Sequence, residues 1–205
     1  MHSPVAINNA NLLSIDPLLC VLDDFASDEE ITHLLQAGAT LLEPALVTGP
    51  DEGVPSKRRT GRNCWIPHEH DAVIAQLCER ISTLVGLPLL QAESIQLIHY
   101  DETQEYAPHF DAWDAESEAG KRCMKRGGQR LVTCLLYLND VEEGGGTTFP
   151  KLNLQVKARK ARLVLFHNCL LGSIVRHPNS LHGGMPVIRG EKWACNLWFR
   201  EHKYW

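Results

Sequence analysis

From Ser94 onward the chain breaks into short, β-prone runs, and this pattern constrains its fold more than any other feature. The runs are Ser94 to Tyr100, Arg130 to Leu138, Leu152 to Val156, Arg162 to Phe166 and Lys192 to Phe199, separated by Gly, Pro, Asn and charged residues. Runs of this kind read as the strands of an all-β core. The chain before Ser94 has a different period. Ser27-Asp28-Glu29-Glu30 forms a capping box, a hydroxyl at the N-cap and a glutamate three residues on. It opens an amphipathic run with Ile31, Leu34, Leu35, Ala39 and Leu42, which Pro44 ends. A second helix fits Asp71 to Val85, with Val73, Ile74, Leu77, Ile81, Leu84 and Val85 on one face and Gly86 as a stop. Helices followed by many short strands predict a mainly β fold, a double-sheet jelly roll with supporting N-terminal α-helices. The 205 residues are expected to form a single domain, with 1–93 as helical support and N-terminal strands and 94–205 as the β core.

Two segments interrupt this plan. Thr48 to Arg62 is rich in Gly, Pro and charge and reads as a mobile loop. Ala112 to Gly128 is polar and directly follows Asp111; a loop of that length in a small domain is often a lid. Both are candidates for closing over a substrate, and their basic content suits an acidic partner. A formal charge of -5 gives no global case for nucleic acid. The start of the chain, Met1 to Asn11, shows no signal peptide or membrane span. Seven cysteines without a CxxC pair read as reduced thiols in a cytoplasmic protein, with Cys134 and Cys195 as core filler. The apolar Tyr204-Trp205 end is expected to dock on the protein's own body.

His109-Phe110-Asp111 carries the chemistry. In a strand alternate side chains share a face, so His109 and Asp111 would offer an imidazole and a carboxylate to one ion. A third ligand must come from the other histidines. His182 has the strongest context, in Leu181-His182-Gly183-Gly184, with His167 as its rival. His33, His68, His70 and His202 read as surface residues. Two histidines and one carboxylate are the donor set of non-haem Fe(II) oxygenases. With Gly190 turning the chain, His182 and Lys192 would lie on neighbouring antiparallel strands. Parity in the last strand puts Lys192, Ala194, Asn196 and Trp198 on one face and Trp193, Cys195, Leu197 and Phe199 on an apolar face. A lysine beside a metal on an inward face needs an anion, which a dicarboxylic cosubstrate would supply.

Three longer strings, Tyr100 to Asp111, Gly127 to Pro150 and Leu181 to Arg200, resemble the prolyl 4-hydroxylase branch of the Fe(II)/2-oxoglutarate dioxygenases. The resemblance covers about Ile95 to Arg200. It implies a double-stranded β-helix, iron held by His109, Asp111 and His182, and the distal carboxylate of 2-oxoglutarate held by Lys192 with Tyr100 and Thr147. It implies Tyr106, Arg130 and Trp198 around a target proline. The cofactors implied are Fe(II), 2-oxoglutarate and O₂, with ascorbate as a further candidate, and the products succinate and CO₂. The implied partner is a peptide or protein containing proline, with no nucleic acid and no membrane. A free amino acid or small metabolite is the alternative substrate, and an iron- or 2-oxoglutarate-sensing jelly roll without catalysis is the alternative class. His99, Asn196 and Met185 depart from residues common in the family, which leaves the expected ligands intact and the substrate details open.

Overall fold

A computed structural model of the chain describes residues 10–49 and 52–204. In chain order it contains β1 (Ala10–Ile15), β2 (Leu18–Leu22), α1 (Asp28–Gly38), β3 (Glu43–Pro44), β4 (Val47–Thr48), β5 (Gly53–Val54), β6 (Arg62–Ile66), α2 (Ala72–Val85), β7 (Ile95–Tyr100) and β8 (Tyr106–His109). There follow α3 (Glu118–Met124), β9 (Arg130–Tyr137), β10 (Glu143–Gly144), β11 (Thr147–Phe149), β12 (Leu154–Val156), β13 (Leu163–His167), β14 (His182–Gly184), β15 (Val187–Arg189) and β16 (Lys192–Arg200).

The large sheet runs β1-β2-β13-β9-β16-β7-β6-β3, and a smaller one runs β12-β11-β14-β8. Every pairing in both sheets is antiparallel. The two faces of the large sheet do different work, and strand alternation assigns them. Cys134, Leu136, Cys195, Leu197 and Phe199 point to one face, where they pack with Ile31 and Leu34 of α1 and Ile74, Leu77 and Ile81 of α2. Leu135, Tyr137, Ile98, Tyr100 and Ala194 point to the other and pack with Phe149, Val156 and Val187. The expected jelly roll braced by helices is therefore a layered structure, helices on one side of the large sheet and the small sheet on the other. Each large apolar side chain so buried contributes roughly 1.5–3 kcal/mol.

The helix signals act as the sequence indicates. Ser27 Oγ accepts from Glu30 N (3.2 Å) while Glu30 Oε2 accepts from Ser27 N (2.8 Å). Asp71 caps α2 by accepting from Ile74 N, and Gly86 ends it at φ 75°. Glu30 also accepts from Arg80 at 2.7 Å, joining the two helices. The first helix is shorter than its apolar run: it stops at Gly38, and a 3₁₀ turn carries Ala39–Leu41. Gly38 marks where the helix presses on the sheet, since a Cβ there would lie 2.7 Å from both Cys64 Sγ and Leu97 Cδ2.

Several expectations need correction. The segment Thr48 to Arg62 is not an unstructured loop, because β4 and β5 pair in it as a hairpin, Val47 opposite Val54; residues 50 and 51 lie outside the described residues. The segment Ala112 to Gly128 contains α3, capped by Ser117 Oγ accepting from Gly120 N at 3.0 Å. The run read from Leu152 begins as a strand only at Leu154, because Pro150–Leu152 forms a 3₁₀ turn that Asn153 closes at φ 52°. His68 is buried and bonded to the carbonyl of Glu93 rather than lying on the surface. Tyr204 docks on the body through Leu90 O (2.8 Å) and the Arg126 guanidinium, whereas Trp205 and most of the Met1 to Asn11 stretch lie outside the described residues.

Candidate active site

The two imidazoles meet because of sheet register. His182 on β14 pairs directly with His109 on β8, bringing their ring centroids to 4.6 Å. Asp111 lies two residues past His109, in a bend rather than in the strand that parity assumed. Its carboxylate nevertheless reaches both rings, with Oδ1 3.5 Å from His109 Nε2 and Oδ2 3.5 Å from His182 Nε2. His109, Asp111 and His182 form a ligand cluster; His167 is no part of it.

The hydrogen bonds of the rings reveal what the cluster is built for. His109 Nδ1 lies 3.0 Å from Ala107 O, and His182 Nδ1 lies 2.9 Å from Ser180 O. A carbonyl oxygen only accepts, so each Nδ1 carries a proton, which leaves Nε2 as the ring atom turned toward Asp111 and available to a cation. Burial pushes His182 down to about 4, against the opposing pull of Asp111, which keeps the ring neutral. Burial also works against ionising Asp111, yet its carboxyl is held well below the usual carboxylate range by the imidazoles in their protonated form and by the Arg130 guanidinium. Two lone pairs facing an ionised carboxylate are a donor set for a cation, and the His-His-carboxylate composition fits Fe(II).

Lys192 is not on a strand beside His182, contrary to the sequence expectation. His182 belongs to the small sheet, paired with β8, and Lys192 to the large one, opposite Tyr100 of β7. After β14 the chain first forms β15, which pairs with β10, and then turns at Gly190 (φ 90°). The lysine and the triad therefore face the same cavity from opposite sheets. That cavity is about 720 Å³ and is lined by all nine residues singled out in the sequence: His109, Asp111, His182, Lys192, Tyr100, Thr147, Tyr106, Arg130 and Trp198.

Lys192 is 2% exposed and forms no salt bridge among the described residues. Burial lowers it to about 7. Its Nζ sits 5.6 Å from the Tyr100 ring centroid and 5.1 Å from that of Tyr137. Thr147 Oγ1 is 2.6 Å from the Tyr137 hydroxyl. Tyr137, which backs Thr147 and Lys192 from the core, is a residue the sequence reading missed; it shares strand parity with Thr133 and Leu135, which line the cavity.

Elsewhere on the cavity wall, Arg130 stacks over Trp198 at 3.8 Å and Trp113 at 4.7 Å. Its fork is held by Glu93, Nε to Oε1 at 2.5 Å and Nη2 to Oε2 at 2.8 Å. Alternation along β9 would turn Arg130 toward the helices with Val132. The pairing with β16 shifts register between Phe199 and Arg200, and this bulge re-aims the side chain. Tyr106 stacks on the His109 ring at 3.6 Å, with Arg59 on its far side at 4.7 Å. Trp65, 48% exposed, forms the outer wall 6.0 Å from Trp198. Glu93, Trp113, Trp65 and Arg59 are further residues that sequence reasoning did not find. A second His-carboxylate grouping, His99 with Asp101 and Glu191, is accounted for by a hydrogen-bond contact, with Glu191 Oε2 2.8 Å from His99 Nε2 and also accepting from Trp193 Nε1 at 2.9 Å.

Comparison with known proteins agrees with this geometry. Residues 95–200 match the family model of the 2OG-Fe(II) oxygenase superfamily. The probable prolyl 4-hydroxylase 8 of Arabidopsis thaliana is 31% identical over 94% of this chain and 72% of its own length. The putative prolyl 4-hydroxylase of Acanthamoeba polyphaga mimivirus is 33% identical over 90% of this chain and 74% of its own. Among solved structures, a viral collagen prolyl hydroxylase from Paramecium Bursaria Chlorella virus-1, in complex with 2OG, superposes with a TM-score of 0.69 at 26% identity, covering 89% of this chain and 95% of that one.

Proposed function

Because the chain belongs to the 2OG-Fe(II) oxygenase superfamily, and within it to the prolyl 4-hydroxylases, we propose that it hydroxylates a prolyl residue of a peptide or protein. When bound, Fe(II) lets 2-oxoglutarate and O₂ react to succinate and CO₂ while one oxygen atom enters a C–H bond. His109, Asp111 and His182 would hold the metal. The observation that carries the reading is Lys192, a buried side chain with no carboxylate partner among the described residues, aimed into the same cavity as three metal-ligating side chains. A dicarboxylate bound between them would supply the missing counter-charge at its Lys192 end and leave its other end beside the residues that would hold the metal. Tyr100 and Thr147 line the lysine end, and Tyr137 backs Thr147 through its hydroxyl.

Arg130, Trp198 and Tyr106 form the wall against which the target ring is placed. Aromatic and stacked guanidinium faces exclude water from the reacting C–H bond and orient it. The peptide reading is supported by the cavity's extension past Trp65 to Leu41, Pro44 and Leu46, well beyond the space a small cosubstrate fills. The β4–β5 hairpin and the α3 segment meet at this mouth, where Arg122 donates to Gly49 O at 2.8 Å, and we assign them the closure over substrate.

The test is incubation with Fe(II), 2-oxoglutarate, ascorbate and proline-containing peptides, reading succinate and the mass gain of one oxygen atom. Free proline and other amino acids serve as the competing substrates, and omission of ascorbate measures its requirement. Hydroxylated peptide that vanishes in Asp111→Ala supports the reading. Turnover of free amino acids alone would move the substrate class to metabolites, and no turnover of any substrate would favour a sensor.

A further inference from the structure

We propose that Thr133, Trp198 and Asn168 form a positioning chain that holds Asp111 as a one-oxygen metal ligand and ties it to the wall of the substrate cavity. The proposal rests on the reading of His109, Asp111 and His182 as metal ligands. It begins with sheet register: Thr133 on β9 lies directly opposite Trp198 on β16. Directly opposed residues project from the same face. Both side chains then deliver a hydrogen to the same atom, Asp111 Oδ2, which accepts from Thr133 Oγ1 at 2.7 Å and from Trp198 Nε1 at 2.8 Å. The indole N–H has no acceptor capacity, so its direction is fixed.

The hydroxyl is oriented from behind. Asn168 follows β13, the strand on the other side of β9, and its Nδ2 donates to Thr133 Oγ1 at 2.8 Å. The Thr133 hydroxyl then gives its own single hydrogen to Asp111. The run Asn168 to Thr133 to Asp111 is wholly buried, where such bonds polarise one another. Asn168 is itself fixed, its backbone N–H donating to Leu131 O and its carbonyl accepting from His177 N and Ser180 Oγ.

Two consequences follow for the ligand. With both hydrogen bonds on Oδ2, Oδ1 is the oxygen left for a cation, and the carboxylate is steered away from chelating through both oxygens. A facial triad needs that restraint, because a second carboxylate oxygen on the metal would take a position the cosubstrate or O₂ requires. Trp198 also carries Arg130 on its ring face at 3.8 Å, so a displacement of the cavity wall by an occupant is transmitted to Asp111 through one hydrogen bond. Thr133 and Asn168 act only through Asp111 and are positioning residues.

The experiment titrates Mn(II) alone into wild type, Thr133→Val, Thr133→Ser, Trp198→Phe and Asp111→Ala by calorimetry, with folding checked by circular dichroism. Loss of an outer-shell partner typically weakens metal binding about 10–100-fold. That loss is expected in Thr133→Val and Trp198→Phe, with Thr133→Ser returning to the wild-type value. Wild-type affinity in both Thr133→Val and Trp198→Phe, with binding lost in Asp111→Ala, would overturn the chain and leave the metal site standing. Wild-type affinity in Asp111→Ala would overturn both. Should Thr133→Val fail to fold, Trp198→Phe decides, since it keeps an aromatic ring on the cavity face and removes the indole N–H, with circular dichroism and urea denaturation reporting the cost of the smaller ring.

Discussion

Replacing Lys192 by Met keeps an unbranched stem in the same space and removes only the ammonium. Burial lowers this lysine from 10.5 to about 7 in the folded chain. Between those values the unfolded chain binds a proton that the folded one does not, so wild-type stability rises with pH across this window. Each pH unit is worth about 1.4 kcal/mol, so the cost of burying the charge is on the order of 5 kcal/mol at pH 7 and below. It falls to about 2 kcal/mol at pH 9 and vanishes where a solvated lysine titrates. Without metal or cosubstrate, Lys192→Met is therefore expected to be more stable than wild type near neutral pH, by up to about 5 kcal/mol. For a chain of this length that is on the order of 10 °C in Tm. The gain should shrink steadily as pH rises. The same variant is expected to lose at least about a hundredfold in 2-oxoglutarate affinity, because the distal carboxylate would be buried without its partner. Chemical denaturation at several pH values and calorimetric titration of 2-oxoglutarate measure the two effects. A variant less stable than wild type at pH 7, or a stability difference that ignores pH, would refute the account of Lys192 as a buried charge awaiting an anion.

Other residues make separate predictions. Glu93→Gln removes the carboxylate that Arg130 and Arg200 share, at 2.5 Å and 3.1 Å, and should destabilise the protein by about 3–5 kcal/mol, read by urea denaturation. Tyr137→Phe breaks the hydroxyl contact with Thr147 and should raise the KM for 2-oxoglutarate about two- to tenfold while leaving the peptide KM unchanged. Gly38→Val places new atoms against Cys64 and Leu97 and should cost about 1–3 kcal/mol with the kinetic constants of the folded fraction intact.

What was legible in the sequence was what depends on neighbours along the chain. The Ser27–Glu30 box, the Asp71 and Gly86 ends of α2, and the two faces of β16 follow from local chemistry, and the structure has them where the residues indicate. The strands β1 and β2 were expected in the N-terminal part but not placed. A register shift between Leu12 and Ser14 breaks the alternation that would have marked β1. Relations between sheets were harder to read. Nothing local says that β15 leaves to pair with β10, so the path from His182 to Lys192 looked like a hairpin. Arg130 reaches the cavity only through a bulge, and its partner Glu93 sits in a connection with no periodicity. Tyr137 has the opposite parity on β9 to Arg130, the residue of that strand singled out from the sequence, so alternation pointed away from it.

The division of labour between the faces of β16 sets a rule for how this chain can change in length. Insertion or deletion of one residue within Lys192–Arg200 would invert the facing of every residue on one side of it, turning either Lys192 or Trp198 toward the helices or Leu197 and Phe199 toward the reaction chamber. Substitutions in that strand can accumulate one at a time, but a change of a single codon in number removes cosubstrate capture or core packing at once. The reading frame of the strand is thus under tighter constraint than most of its individual letters. The Gly190 turn before the strand, outside both sheets, is where a length change leaves that alternation intact.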